Sequence, residues 1–377
     1  MLAEAPLGRS RWNLVTQTNR PGRCFLFMDV NVKLTLAALI LLLLSAGCGG
    51  DEADFPEPDL SGIDVNLTVL RFDAALATAD TNGVAEVLAQ LDGDFGTFAD
   101  DYFRHLVPLR RGDFGPDEQT EVFRAFLTYP LVRESLRLTG ERFDEAVLTD
   151  FEAELEQALR RYRYFLPEAP VPDTLVTYVS QFQYAGFLYG EGQLAVGLDF
   201  FLGPDFDYQS VDPRDPVFSD YLTQAYTPKH LSAKMLRLLL DDYVPRPRAG
   251  RLVDYLVYEG KKLYLLNRLL PGVDDHIIHE VTPEQMEWLR ANETAIFAQL
   301  QREDQFYATD PTLIRKLTQP APYTQGMPRE SPGRAVNYLG QQIVEAFVRA
   351  NPNVDTAGLL EIGDGQEILR RARYRPR

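Results

Sequence analysis

The sequence predicts an α+β fold in which helices dominate and a small mixed sheet plays the minor part. Apolar residues recur at spacings of three and four over most of the chain after Asp73, the mark of helices with one buried face. Only Val65–Phe72, Thr174–Tyr184 and Gln193–Phe201 carry the alternation or β-branched content of strands. With 377 residues and 45% hydrophobic content the chain can build a real core. Its two cysteines, Cys24 and Cys48, both precede the folded region, so packing alone must hold that core, with no disulfide or cysteine-based metal site. Asp and Glu outnumber Lys and Arg by 55 to 38, and the net charge of -17 excludes a nucleic-acid surface and broad adhesion to anionic lipid.

The N-terminal part reads as an export and anchoring signal. Leu34–Leu44 is an apolar run too short to span a bilayer but of the right length for a signal-peptide core, and Ser45, Ala46, Gly47 and Cys48 follow. A cysteine directly after Ala-Gly resembles a bacterial lipobox, in which the thiol becomes the lipid attachment point. Ser45 departs from that pattern, which prefers a Leu found here one place earlier, at Leu44. A plain secretory signal or an uncleaved anchor are the alternatives. Residues 1–47 form the signal region, with Met28 and Lys33 offering a natural start and basic segment. Residues 48–62, acidic and rich in Gly and Pro, read as a lipidated flexible tether. A single globular domain is expected over 63–377.

Within that domain the segments Asp73–Leu91, Phe95–His105, Asp117–Tyr129, Pro130–Leu138 and Asp144–Phe165 are helical, and this half ends near residue 166. His105 has no carboxylate or second histidine near it and reads as a structural histidine. From about residue 173 the character changes. Two strands are joined through Gly186 and the Gly190-Glu191-Gly192 turn, and Gly203-Pro204-Asp205 ends the second. Thr227-Pro228 opens a helix that reaches about Tyr243. Leu252–Pro271 is the next. Thr282-Pro283-Glu284-Gln285 is a capping box for another, Gly333–Ala350 is amphipathic, and two short helices precede a basic tail.

Leu252, Leu256, Leu263, Leu266 and Leu270 trace one buried stripe, and Glu259 occupies the position that completes it. A carboxylate on such a seam is costly unless a cation faces it or backbone amides cap it. No glycine-rich phosphate loop and no nucleophile elbow are present. His276 and His279, with Glu280 beside them, could share a helix face but follow Pro271-Gly272 and read as a solvated turn. The run His230-Leu231-Ser232-Ala233-Lys234 stands where a zinc peptidase carries His-Glu-x-x-His, with Leu231 replacing the general base and Lys234 the second imidazole.

The lipobox cysteine, AVGLDFFLGPD, YTPKHLSAKM, VYEGKKLYLLNRLLP and NYLGQQIVEAF, in that order and spacing, resemble the gliding-motility lipoprotein family GldB of the Bacteroidetes. That family is similar in turn to predicted zinc peptidases that keep the His-Glu-x-x-His motif. The resemblance implies a degenerate zincin-like fold in the second half, with His230, Lys234, Glu259 and Gly260 as the remnants of a site and no metal or other cofactor. It further implies a non-catalytic lipoprotein of the cell envelope, held at the outer membrane by lipid on Cys48. Such a protein is needed for gliding and associated with type IX secretion, and its partners are proteins of that machinery. On this view Lys234 or His230 lies beside Glu259 and stands in for the lost metal. The alternative is an envelope zinc metallopeptidase with atypical ligands drawn from His230, His276, His279 and Glu259.

Overall fold

The computed structural model describes residues 55–110, 114–248 and 250–376. The signal region, the start at Met28, Cys48 and most of the tether lie outside the described residues. The chain divides into two units, Met1–Pro56 and Glu57–Arg377, and all elements named here belong to the second.

Four short strands form the sheet: β1 (Thr68–Arg71), β2 (Thr174–Tyr178), β3 (Gly186–Tyr189) and β4 (Gln193–Gly197). Their order is β1-β2-β4-β3, with β1 and β4 parallel to β2 and β3 antiparallel to β4. The sheet is therefore mixed, as expected. One strand is new: Gly186–Tyr189 reads in the sequence as a connection, because four residues beginning with Gly carry too little alternation to signal a strand. Residues 179–185 leave the sheet instead of extending β2. There Gln181 and Phe182 take left-handed backbone conformations, at φ 55° and 59°. The buried Asp199 holds this loop by accepting bonds from the Ser180 and Phe182 amides at 3.0 and 2.8 Å.

The first half is helical as the periodicity predicts. Its helices are α1 (Phe72–Ala77), α2 (Val84–Asp101), α3 (Pro116–Thr128), α4 (Pro130–Arg142) and α5 (Glu145–Phe165). The stretch expected as one helix from Asp73 to Leu91 is broken at residues 78–83, and α2 ends in a π-helical turn, Tyr102–Leu106. His105 is exposed on that turn, which removes its expected structural role. Phe72, Phe98, Tyr102 and Tyr178 pack edge to face or tilted against one another, joining the helices to the sheet in one aromatic core. Tyr102 is buried but satisfied, since its hydroxyl donates to the Val179 carbonyl at 2.9 Å.

The second half carries a four-residue turn of helix, α6 (Asp220–Thr223), then α7 (Leu231–Tyr243), α8 (Leu252–Leu269), α9 (Asp275–His279) and α10 (Pro283–Arg302). After these come α11 (Pro311–Thr318), α12 (Ala335–Ala350), α13 (Thr356–Glu361) and α14 (Gly365–Ala372). The capping box at Thr282 forms as expected, with Thr282 and Gln285 bonding reciprocally at 3.1 and 3.2 Å. Thr227 behaves differently from a helix cap. Its hydroxyl bonds the His230 ring at 2.8 Å, and Pro228–His230 make a 3₁₀ turn before α7 begins.

Helix α8 is the axis of this half. All five leucines of the predicted stripe are buried. Helix α12 packs beside that stripe, and the two backbones approach closely at Gly260 and Gly340. A Cβ on Gly260 would lie 2.3 Å from the Gly340 carbonyl, and one on Gly340 would lie 2.0 Å from the Leu256 oxygen. Gly260 is thus a packing residue whose missing side chain lets α12 dock. Gly340→Ala is expected to cost about 3 kcal/mol by forcing the helices apart. Gly140→Ala, on α4 with nothing within 4 Å of the new methyl, is expected to stabilise by about 0.5–1 kcal/mol. Urea unfolding midpoints of the two variants test this, and equal effects would refute the close-crossing account.

Candidate functional site

Where α7, α8, α9 and the start of α12 converge, a cluster of charges is shut inside the protein. Its centre is Glu280, the residue after α9, whose side chain is 10% exposed. Lys234 and Arg237 reach it from α7 at 2.9 and 3.7 Å, and Arg334 from the N-terminus of α12 at 2.7 Å. Arg237 and Lys234 lie three residues apart, and therefore on one helix face. Arg237 also approaches Glu259 on α8, at 3.6 Å. Lys262, one turn along α8, pairs with Glu259 at 2.7 Å and with Asp241 of α7 at 2.6 Å. Three acids and four cations thus interlock two helices and the ends of two others.

The expectation for Glu259 is met in kind and corrected in partner. Its side chain is 19% exposed and opposed by cations. Those cations are Arg237 and Lys262, whereas Lys234 is drawn to Glu280 and His230 turns its ring to Thr227. The physical reason is reach: Arg237 is one turn further along α7 than Lys234, so it is Arg237 that lies opposite Glu259. His276 and His279 do not form a solvated turn either. They lie on α9, and His279 is buried, with Nε2 2.6 Å from Gln341 Oε1. Gln341 passes the bond on to Glu345 at 2.8 Å, which fixes the amide orientation and puts the proton on Nε2 of His279.

Glu280 was the residue the sequence left in the background. Its signal was present in two places: it follows His279 directly, and His230, Lys234 and Arg237 repeat at four and three along one face of α7. A basic helix face in the middle of an acidic protein calls for a buried acid.

The electrostatics follow from this geometry. Burial pushes the Glu280 carboxyl up, but the charges of Lys234, Arg334 and Arg237 outweigh burial and hold it well below the usual carboxylate range. Lys234 moves down, first through burial and then because Arg334 and Arg237 compete for the same carboxylate, although Glu280 itself pulls the other way. Burial takes His230 down to about 4, with Lys234 adding to the effect. His279 is lowered to about 4 by burial as well. Both imidazoles are therefore neutral at pH 7. Glu280 and Arg334, the shortest pair of the three, both sit in left-handed conformations, φ 55° and 54°. Strain of this sort persists only where the surroundings over-determine the backbone. Arg334 also donates to the His279 carbonyl at 3.2 Å, and Gln224 to the Glu280 carbonyl at 3.1 Å. Between Arg237, Glu259, His279 and Arg334 remains a void of about 10 Å³, the scale of a single water.

Removing the central acid leaves three cations facing one another. Glu280→Gln is expected to cost about 3–5 kcal/mol. Glu259→Gln should cost less, because Lys262 keeps Asp241 and Arg237 keeps Glu280. Acid should weaken the protein as well. The folded values of His230 and His279 lie below the unfolded value of about 6.5, so their contribution is whole above pH 6.5 and is lost as pH falls towards 4. Each imidazole contributes roughly 3 kcal/mol at most to that loss. Chemical denaturation at several pH values checks this, and a His230→Gln protein with an unchanged slope between pH 6.5 and 4 would contradict it.

Comparison with known proteins places the chain. No curated protein and no solved structure matches it. One family model, that of the gliding motility protein GldB, matches residues 54–376. The match spans nearly all of the described residues and every element of the fold, and the chain belongs to the GldB family of gliding motility proteins.

Proposed function

We propose that this protein is a lipid-anchored envelope component of the gliding apparatus that works by binding other proteins and has no catalytic step of its own. The observation that carries the reading is the Glu280 cluster. Both carboxylates on this seam are committed to cations, Glu280 to three and Glu259 to two. A divalent metal brought to either would meet Lys234, Arg237, Lys262 and Arg334 as like charges. The imidazoles offer little more, since His230 is bonded to Thr227 and His279 to Gln341. Among the described residues no three His, Cys, Asp or Glu side chains converge as ligands.

On this proposal Glu259, which faces Arg237 of the helix that follows His230, is the relic of a zinc ligand. A guanidinium and an ammonium occupy the place beside it, and ion pairs now supply the cohesion that a metal would give. Attachment through Cys48 at the outer membrane and association with type IX secretion belong to the same proposal. They rest on the lipobox-like sequence and on membership of the family.

The test uses a gliding host that lacks its own copy. Complementation with Glu259→Gln, at matched protein level, is expected to restore colony spreading, because a structural pair can lose one charge and still fold. Zinc measured on the purified chain should be well below one equivalent. Loss of spreading by a fully folded Glu259→Gln protein that binds stoichiometric zinc in the wild-type form would favour a peptidase instead. A cysteine-to-serine change at Cys48 should release the protein from membranes.

A further inference from the structure

The two lysines that follow Gly260 on α8 are equally buried and differently treated. Lys262, 4% exposed, meets two carboxylates. Lys261, 5% exposed, meets none: among the described residues no acid lies within 4 Å of its ammonium. Its Nζ donates to the carbonyls of Ile362 at 2.8 Å and Leu360 at 3.4 Å, which supply dipoles but no compensating charge. An ammonium has three donors, and a buried one without a counter-charge is costly.

Lys261 lines a pocket of about 380 Å³, within the range of small-ligand sites. The pocket lies between residues 245–248, α8 and the segment that follows α13. Val257, Leu360, Ile362 and Pro245 contribute apolar wall. Arg246 and Arg248 stand exposed at its edge, and neither forms an ion pair among the described residues. Two acids also line it. Asp254 is already consumed, by Arg251 at 2.8 and 2.9 Å and by the Gly365 amide at 2.9 Å, and Glu361 is exposed at the rim. The pocket is therefore basic inside a chain of net charge -17.

We propose that this pocket binds a carboxylate joined to an apolar group, the chemistry shared by the free C-terminus of a polypeptide and by a small organic acid. The carboxylate takes the remaining donor of Lys261 and the guanidinium groups at the edge, while the apolar group lies against Val257 and Leu360. One buried cation is balanced by one negative charge. A dianion would carry a second charge between the same apolar walls. Burial lowers Lys261 to about 8, so it is mostly charged at neutral pH and becomes neutral as pH rises further. Ligand binding should therefore weaken in alkali. The site is separate from the Glu280 cluster, and its occupancy does not depend on how that cluster is read.

The experiment measures binding to the purified full chain by calorimetry at low ionic strength, with N-acetyl-leucine, N-acetyl-leucine amide, an N-acetylated tripeptide ending in leucine with a free carboxylate, and inorganic phosphate. The free acid is expected to bind at least tenfold more tightly than the amide at pH 7. That ratio should fall severalfold by pH 10, and likewise in Lys261→Met, a change that removes a buried charge and keeps most of the length of the side chain, leaving only the preference that Arg246 and Arg248 supply. A tripeptide tighter than the single residue identifies a polypeptide terminus as the source, and equal affinities identify a small acid. No preference for acid over amide in the wild-type protein, or phosphate binding as tightly as the acid, overturns the proposal. Should Lys261→Met fail to fold, the wild-type pH series decides, because an acid-to-amide ratio that stays constant from pH 7 to 10 overturns it too.

Discussion

The second half of the molecule depends on the contact between Gly260 and Gly340. With no side chain on either residue, α8 and α12 approach until backbone meets backbone, and that contact fixes the rotation of α8 about its own axis. Successive helical residues are turned by about 100°. With Gly260 pinned against α12, Glu259 is turned to one side, towards α7, and Lys261 to the other, towards the segment after α13. Lys262 completes nearly a full turn from Glu259 and returns to the α7 side, where it pairs with Glu259 and Asp241. One steric constraint thus places both charged features of the protein.

The α7 side is a closed electrostatic joint. Each of its charges except that of the exposed Asp241 would be expensive alone, and none is alone. The arrangement is unsymmetrical, since Glu280 serves three cations while Lys262 serves two acids; the three cations hold the Glu280 carboxyl well below its usual range, and burial, with Arg334 and Arg237 adding to it, moves Lys234 down. A joint of this kind ties α7, α8, α9 and α12 into one body.

The α8 face turned towards residues 360–362 is the opposite case. Lys261 is as buried as its neighbour but answered only by carbonyls. A structure that compensates Lys262 twice and Lys261 not at all has left a specific deficit beside a pocket. The two lysines differ by one position in sequence, and their contrast arises wholly from which neighbours each meets.

Much was legible without coordinates. The three-and-four periodicity located α3, α4, α5, α8 and α12 closely, because amphipathic helices write their buried face into local spacing, and Thr282 announced the start of α10 through its capping box in the same local way. The buried leucine stripe of α8, and the need for a cation opposite Glu259, also followed from the sequence alone. The fourth strand did not, because a four-residue edge strand is defined by its partner. The true pairing of Glu259 with Arg237 and Lys262, the central place of Glu280 and the isolation of Lys261 were decided only by tertiary structure. Apart from Glu259 and Lys262, which are neighbours on one helix face, these ion pairs form between atoms brought together across 21 to 54 residues of chain, and which ones meet depends on how far each helix is turned and shifted against the next. In this protein those rotations were set by two glycines, whose importance lies in side chains that are not there.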